Sequence, residues 1–223
     1  MLVRLSHILE KNGPHWPGAP TCDAKPLNRI SEGSAYNTFE VVLMNHYGTH
    51  FDAPRHYSEK LPKITELPLE TFVSDRPVML DIPKTFNEFI TPEELMPHHD
   101  LLKNADMLLL HTGFSKLRDA EPERFAVENP SLNADACKYL MDNFRLKSVA
   151  LDWISLTNPA HMEEGNLCHR YMLGHYHDHF ICVIEDACFE GIVGKKLKRV
   201  MALPLLVGMD VDSGPITMFA EVE

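Results

Sequence analysis

Residues 46 to 56 read His46-Tyr-Gly48-Thr49-His50-Phe-Asp52-Ala-Pro54-Arg-His56, which commits three imidazoles and a carboxylate to eleven positions. Side chains alternate along an extended strand, so His46, Gly48, His50 and Asp52 are predicted to share one face. Pro54 ends the ladder and lets His56 turn back towards that face, while Gly48 leaves room for an ion to approach the backbone. Two imidazoles with a carboxylate suit Zn2+, Mn2+ or Fe2+ better than Ca2+ or Mg2+. The run predicts a metal centre built on one strand.

The surrounding sequence supplies that strand with neighbours. YNTFEVVLM (36–44) is rich in β-branched and aromatic residues and runs into His46 as a strand. Buried strands are predicted at PVMLDI (77–82), DMLLLHT (106–112), SVALDWI (148–154), FICVIE (180–185), VMALPLL (200–206) and PITMFAEV (215–222). Helices are fewer. Thr91 caps a short one, with Pro92 at its first position and Glu93 and Glu94 in its first turn. Asn133 caps a second, whose apolar residues Ala134, Cys137, Leu140, Met141 and Phe144 follow helical spacing, and a third covers 167–173. No repeat, linker or Gly-rich nucleotide motif divides the chain, which points to a single α+β or compact β/α barrel-like domain over 1–223.

Composition narrows the partners. At 223 residues and 44% hydrophobic the chain can bury a core, and 21 Lys+Arg against 32 Asp+Glu leave −11, the wrong sign for gripping a phosphate backbone. Thirteen histidines favour proton transfer or metal binding. Five cysteines without a C-x-x-C pair read as reduced thiols. The segment MLVRLSHILEKNGPHW has no apolar leader, and no run approaches the ~20 apolar residues of a membrane span, so a cytoplasmic protein without a membrane segment is expected.

The run 46–56 has the form H-x-G-T-H-x-D-x-P-x-H, which resembles the signature of the cyclase-like metal-dependent hydrolases, the family of bacterial kynurenine formamidase and isatin hydrolase. LSHILEKNGPHWPGAP (5–20), LLLHTGF (108–114), LDWIS (151–155), CHRYML (168–173) and VIED (183–186) are similar to further family segments in the same order. The resemblance implies an α/β class, the swivelling β/β/α fold with strands outnumbering helices, and a dimer or tetramer. It implies that His46, His50 and Asp52 are the first metal ligands, with Asp52 able to bridge two ions. By the same likeness His56 transfers protons, His169 and Glu185 are the distal ligands, and Trp16 lines the substrate pocket. His169 and Glu185 are sixteen residues apart, wider than the family spacing. Either a lengthened loop follows the helix, or His175, His177 or His179 replaces His169. Thr157 and His111 stand where many members carry an acid and an arginine, and both are expected to bear on the substrate.

The function implied is hydrolysis of a C–N amide bond in a small molecule, an aryl formamide such as N-formylkynurenine or a cyclic amide or imide. Water would be activated by one or two divalent ions, Zn2+ or Mn2+, with His56 as general acid and base. Two other readings use the same residues. His50-x-Asp52 with a distant histidine is the spacing of a non-haem Fe(II) oxygenase triad, which has no use for His46 or Glu185. A non-catalytic metal or ligand-binding module is the other.

Overall fold

The apolar runs form strands, and their register builds the site. The computed structural model describes residues 1–223. Its strands are β1 (Leu2–Arg4), β2 (Asp23–Asn28), β3 (Thr38–Val42), β4 (His50–Asp52), β5 (Val73–Ser74), β6 (Pro77–Asp81), β7 (Phe89–Ile90), β8 (Met107–His111), β9 (Ser131–Leu132), β10 (Ser148–Leu151), β11 (Cys182–Glu185), β12 (Leu197–Pro204) and β13 (Gly214–Val222). The helices are α1 (Pro92–Leu95), α2 (His99–Leu102), α3 (Leu117–Ala120), α4 (Pro122–Val127), α5 (Ala134–Asn143) and α6 (Met162–Met172). Strands outnumber helices in a mixed α/β fold, as expected.

Nine strands make one sheet in the order β5-β12-β13-β4-β11-β10-β8-β6, with β1 added on β13. The two ends of that path, β5 and β6, are separated by only Asp75 and Arg76, so the sheet curls until its ends meet in a near-barrel. Strands β6, β8, β10 and β11 run parallel, whereas β4, β12 and β13 pair antiparallel. Inside the curl one apolar cluster gathers Phe51, Met107, Leu109, Ala150, Ile184, Val200, Ala202, Met218 and Ala220. Outside the parallel half a second cluster joins Leu108, Leu110, Val149, Leu151 and Val183 to Leu140, Met141, Cys168 and Met172 of α5 and α6. The parallel strands are thus covered on both faces, which is why they read as continuous apolar runs. Strand β12 faces water on its outer side and alternates, with Val200 and Ala202 buried and Arg199 and Leu203 exposed.

Local signals account for the helices. Asn133 caps α5, its Oδ1 accepting from Ala136 N at 2.8 Å, and Glu94 accepts from Thr91 N at 3.0 Å at the start of α1. Helix α6 begins five residues before the predicted 167, because its acidic first turn hides the apolar spacing. Its buried residues Gly165, Cys168, His169 and Met172 follow i, i+3, i+4, i+7 spacing, so His169 faces the sheet.

The strand predicted over 36–44 does not run into the metal run. Strand β3 ends at Val42 in a hairpin with β2 that lies off the main sheet. Residues 43–49 turn instead, with Tyr47 N donating to Met44 O at 3.2 Å and Gly48 at φ +64°, and extended backbone resumes at His50. A Cβ on Gly48 would stand 2.3 Å from Leu9 Cδ2, so this glycine serves the left-handed turn and the Leu9 side chain rather than an approaching ion.

Gly165 carries the contact that sets α6 against the sheet. A methyl group there would meet Thr157 Oγ1 and Cγ2 at 2.5 Å and Thr157 Cα at 2.6 Å. Overpacking costs about 1–3 kcal/mol, against a gain of about 1 kcal/mol in helix propensity. Because the contact with Thr157 Cα is to backbone, which cannot swing aside, the cost falls at the upper end. Gly165→Ala is therefore expected to lower the unfolding free energy by up to about 2 kcal/mol in a urea titration, despite the better helix former. An unchanged or raised midpoint would show that α6 has slack over Thr157.

Candidate active site

Strand β4 lies antiparallel to β11 with His50 opposite Glu185, Phe51 opposite Ile184 and Asp52 opposite Val183. Alternation then sends Phe51 and Ile184 into the barrel and His50, Asp52 and Glu185 to the outer face. Helix α6 covers that face and delivers His169. His46 arrives from the turn before β4, and His56 from the short 3-10 turn Pro54–Tyr57 after it. Only His50 and Asp52 of the predicted four-residue face share a strand, yet His46 still reaches Asp52, with Nδ1 2.9 Å from Oδ1. His50 Nε2 lies 3.4 Å from Asp52 Oδ1 and 3.3 Å from Glu185 Oε2. His169 Nε2 lies 3.4 Å from Glu185 Oε1 and 3.8 Å from Asp52 Oδ2. Asp52 stands at the centre and is fully buried.

Of the candidate distal histidines, His169 lies beside Asp52 and Glu185, and those of 174–179 lie elsewhere. His177 Nε2 and His179 Nε2 bond Asp142 Oδ1 at 3.0 Å and Met141 O at 3.1 Å on α5, and His175 is exposed. The wide spacing to Glu185 is a lengthened loop after α6.

Each imidazole of the cluster has its second nitrogen held by an acceptor. His50 Nδ1 donates to Gly48 O at 2.8 Å, and His169 Nδ1 to Gly165 O at 3.0 Å with Thr157 Oγ1 3.2 Å away. His46 Nε2 and His56 Nδ1 both donate to Asp212 Oδ2, at 3.1 and 2.8 Å. Outer bonds of this kind orient metal-binding imidazoles. Glu185 Oε1 accepts from Leu156 N at 2.6 Å and Ser155 Oγ at 3.1 Å. In contrast, His50 Nε2 and both Asp52 oxygens are buried without an aligned hydrogen bond. Orphaned polar atoms cost free energy unless a further group joins them. A divalent cation fits, because the buried His50, Asp52 and Glu185 bring donor atoms within 4.8 Å of one another and His46 adds a nitrogen 2.9 Å from Asp52 Oδ1.

The electrostatics have the same origin. Burial and Asp52 push the Glu185 carboxyl up, but hydrogen bonds from His169 and His50 bring it down to about 2. Burial pushes the His46 imidazole down, and Asp52 and Asp212 beside it raise its pKa to about 10. Asp212 is held well below the usual carboxylate range by His46 and His56 against the upward push of its burial. Without a cation, protons on imidazoles balance the buried carboxylates. A cation would take their place.

A cavity of about 260 Å³ opens onto the cluster, with His46, His50, His56, His169 and Glu185 among its lining residues. Trp16 is in its wall, together with Met44, Tyr57, Ile154 and Met162. Ser155, Thr157 and Asn166 add polar groups. Tyr57 stacks on His169 with centroids 4.7 Å apart and donates to Asn166 Oδ1 at 2.7 Å. Thr157 therefore stands where it can bear on a substrate, but His111 does not. His111 is buried away from the cavity between Asp81 Oδ1 at 2.8 Å and Glu190 Oε1 at 3.3 Å. Sequence reading missed Asp212, which sits in the loop between β12 and β13 and carries no motif of its own.

Comparison with known proteins agrees with the geometry. A family model described as putative cyclase matches residues 3–157, which include β4 and the segment after β10. An uncharacterized protein of Haemophilus influenzae is 37% identical over 129 residues, 57% of this chain and 90% of that protein. A kynurenine formamidase of Bacillus cereus is 24% identical over 214 residues, 96% of this chain and 94% of the relative. Isatin hydrolase A from Labrenzia aggregata shares the fold at a TM-score of 0.82 and 20% identity, over 99% of this chain and 93% of the other. With well over half its length matched by the family model, the chain belongs to the cyclase family.

Proposed function

We propose that the protein is a metal-dependent hydrolase of C–N amide bonds, acting on an aryl formamide such as N-formylkynurenine or on a cyclic amide or imide. The observation that carries this reading is the pair of orphaned buried groups, the Asp52 carboxylate and His50 Nε2, set directly behind a cavity that His46, His50, His169 and Glu185 line. The named relatives, a kynurenine formamidase and an isatin hydrolase, support the bond class. His46, His50, Asp52, His169 and Glu185 would hold one or two ions, Zn2+ or Mn2+. When bound, such a cation supplies Lewis acidity, drawing the pKa of water from ~15.7 towards ~7 and polarising a carbonyl.

The chain's own residues do the rest. His56 lines the cavity with Nδ1 tied to Asp212, which leaves Nε2 to take a proton from the attacking water and hand it to the leaving nitrogen. Trp16, Tyr57, Met44 and Met162 offer apolar walls to a ring and limit water, while Ser155, Thr157 and Asn166 are placed to orient polar atoms. An oxygenase triad would leave His46 and Glu185 idle, yet both pack into the same cluster. Five free thiols, four of them buried, support a reducing cytoplasmic setting. Leu27, Phe39, Val41 and Val42, exposed on the β2–β3 hairpin, support a homodimer or tetramer.

His56→Ala is expected to retain its metal content and to lose about 10²–10⁴-fold in kcat on aryl formamides or imides. Metal analysis and steady-state kinetics on one preparation check this, and full hydrolysis with full metal would overturn the role of His56. Metal removal should also reverse a pH trend. His46 has a pKa of about 10 folded and 6.5 as its ordinary value, so its proton stabilises the metal-free protein fully below pH 6.5 and is lost as pH rises towards 10. The chelated protein should melt at lower temperature as pH rises through that window. The Zn2+-loaded protein, whose ligands must be deprotonated, should gain on it over the same interval. Parallel melting curves for the two forms would sink the assignment of this cluster as a cation site.

A further inference from the structure

We infer that Asp212 is the positioning residue for His56, fixing the imidazole with Nδ1 as donor so that the lone pair of Nε2 is available to the cavity. The inference rests on the hydrolase reading above for its catalytic consequence, but its geometry stands apart from it. Both oxygens of Asp212 are engaged. Oδ1 accepts from Asn45 Nδ2 at 2.7 Å, and Oδ2 accepts from His56 Nδ1 at 2.8 Å, His46 Nε2 at 3.1 Å and Ser213 Oγ at 3.2 Å. The Asp212 carbonyl in turn accepts from Ile64 N at 3.0 Å, which ties the β12–β13 loop to the body of the protein. The carboxylate is therefore clamped from three directions, and an imidazole bonded to it is held in one orientation.

The consequence is chemical. A neutral imidazole carries its hydrogen on one nitrogen and its lone pair on the other, and a carboxylate accepts but cannot donate. A bond from Nδ1 to Asp212 thus selects the tautomer in which Nε2 accepts a proton, the arrangement in which a third group orients a base. The same oxygen also orients His46, whose ring lies 4.2 Å from that of His56. One side chain, more than 150 residues away in sequence, couples the ring that would hold a cation to the ring that would move a proton.

The two couplings can be separated. In Zn2+-loaded protein without substrate, 15N NMR of the His56 ring, assigned by its loss in His56→Gln, should show the hydrogen on Nδ1. Asp212→Asn should redistribute it between the two nitrogens. At saturating Zn2+ this variant should keep its metal stoichiometry while kcat falls about 100-fold or more and KM stays within about threefold. Asp212→Glu should restore part of the kcat. An unchanged tautomer in Asp212→Asn, or a kcat loss that only follows loss of bound Zn2+, would overturn the inference. Should Asp212→Asn fail to fold, Asn45→Ala takes its place, since it removes the Oδ1 clamp and leaves every proposed ligand intact. There a smaller kcat loss with a shifted tautomer supports the inference, and wild-type values for both overturn it. Failure of every amide substrate would sink the hydrolase reading, whereas the NMR measurement tests Asp212 without turnover.

Discussion

The buried carboxylate of Asp52 is the constraint around which this structure is arranged. It is fully buried in the middle of a sheet, makes no aligned hydrogen bond and lies within 4 Å of three imidazoles. An ionised carboxylate in that position is affordable only with compensating charge. The protein provides for it twice over, with imidazoles that can carry protons and with donor sets that can hold a cation. The outer bonds from Gly48, Gly165 and Asp212 fix the rings in both situations. The cluster is therefore preorganised by neutral backbone carbonyls and one remote acid rather than by the ion.

What keeps Asp52 in place is the other face of its strand. Phe51 points into the barrel and meets Phe72 edge to face, with centroids 5.2 Å apart at 72°. Because β4 is only three residues long, rotating it enough to turn Asp52 away would pull Phe51 out of the core. Burying such an aromatic is worth about 1.5–3 kcal/mol, so the apolar interior holds the polar exterior in register. On β11 the same coupling links Ile184, inside, to Glu185, outside. Antiparallel pairing of β4 with β11 then sets His50 directly across from Glu185.

Much of this was legible in the sequence, for reasons that also mark where legibility stops. Period-two alternation is local, so His50-x-Asp52 and the buried strands could be read directly. His46 could not, because it lies before a turn at Gly48, where φ is +64° and the Leu9 side chain fills the space a Cβ would need. The choice between His169 and the histidines of 174–179 turned on where α6 starts and on Asp142 and Met141 of α5, which draw His177 and His179 away. His111 looked chemical by its place before Thr112-Gly113 but is spent on Asp81 and Glu190. Asp212 left no trace at all, since its contacts with Asn45, His46 and His56 exist only once the β12–β13 loop has closed over the site.

The cavity wall explains why the chemistry has to be divided as it is. Its lining contains imidazoles, hydroxyls, an amide and a carboxylate, and no lysine or arginine. Amide hydrolysis builds negative charge on the carbonyl oxygen, and a site stabilises that charge with fixed positive groups aimed at it. Protonated imidazoles cannot serve that purpose and accept protons as well. If His46, His50 and His169 balance Asp52 and Glu185 by binding protons, they are unavailable as donors of electron pairs and His56 faces a crowd of cations. If a metal ion balances the acids instead, the three rings become neutral ligands and His56 is left as the one imidazole in the cluster free to cycle a proton. The acceptors behind each ring hold it in place in either state, so exchanging protons for a cation requires no rearrangement of the imidazoles.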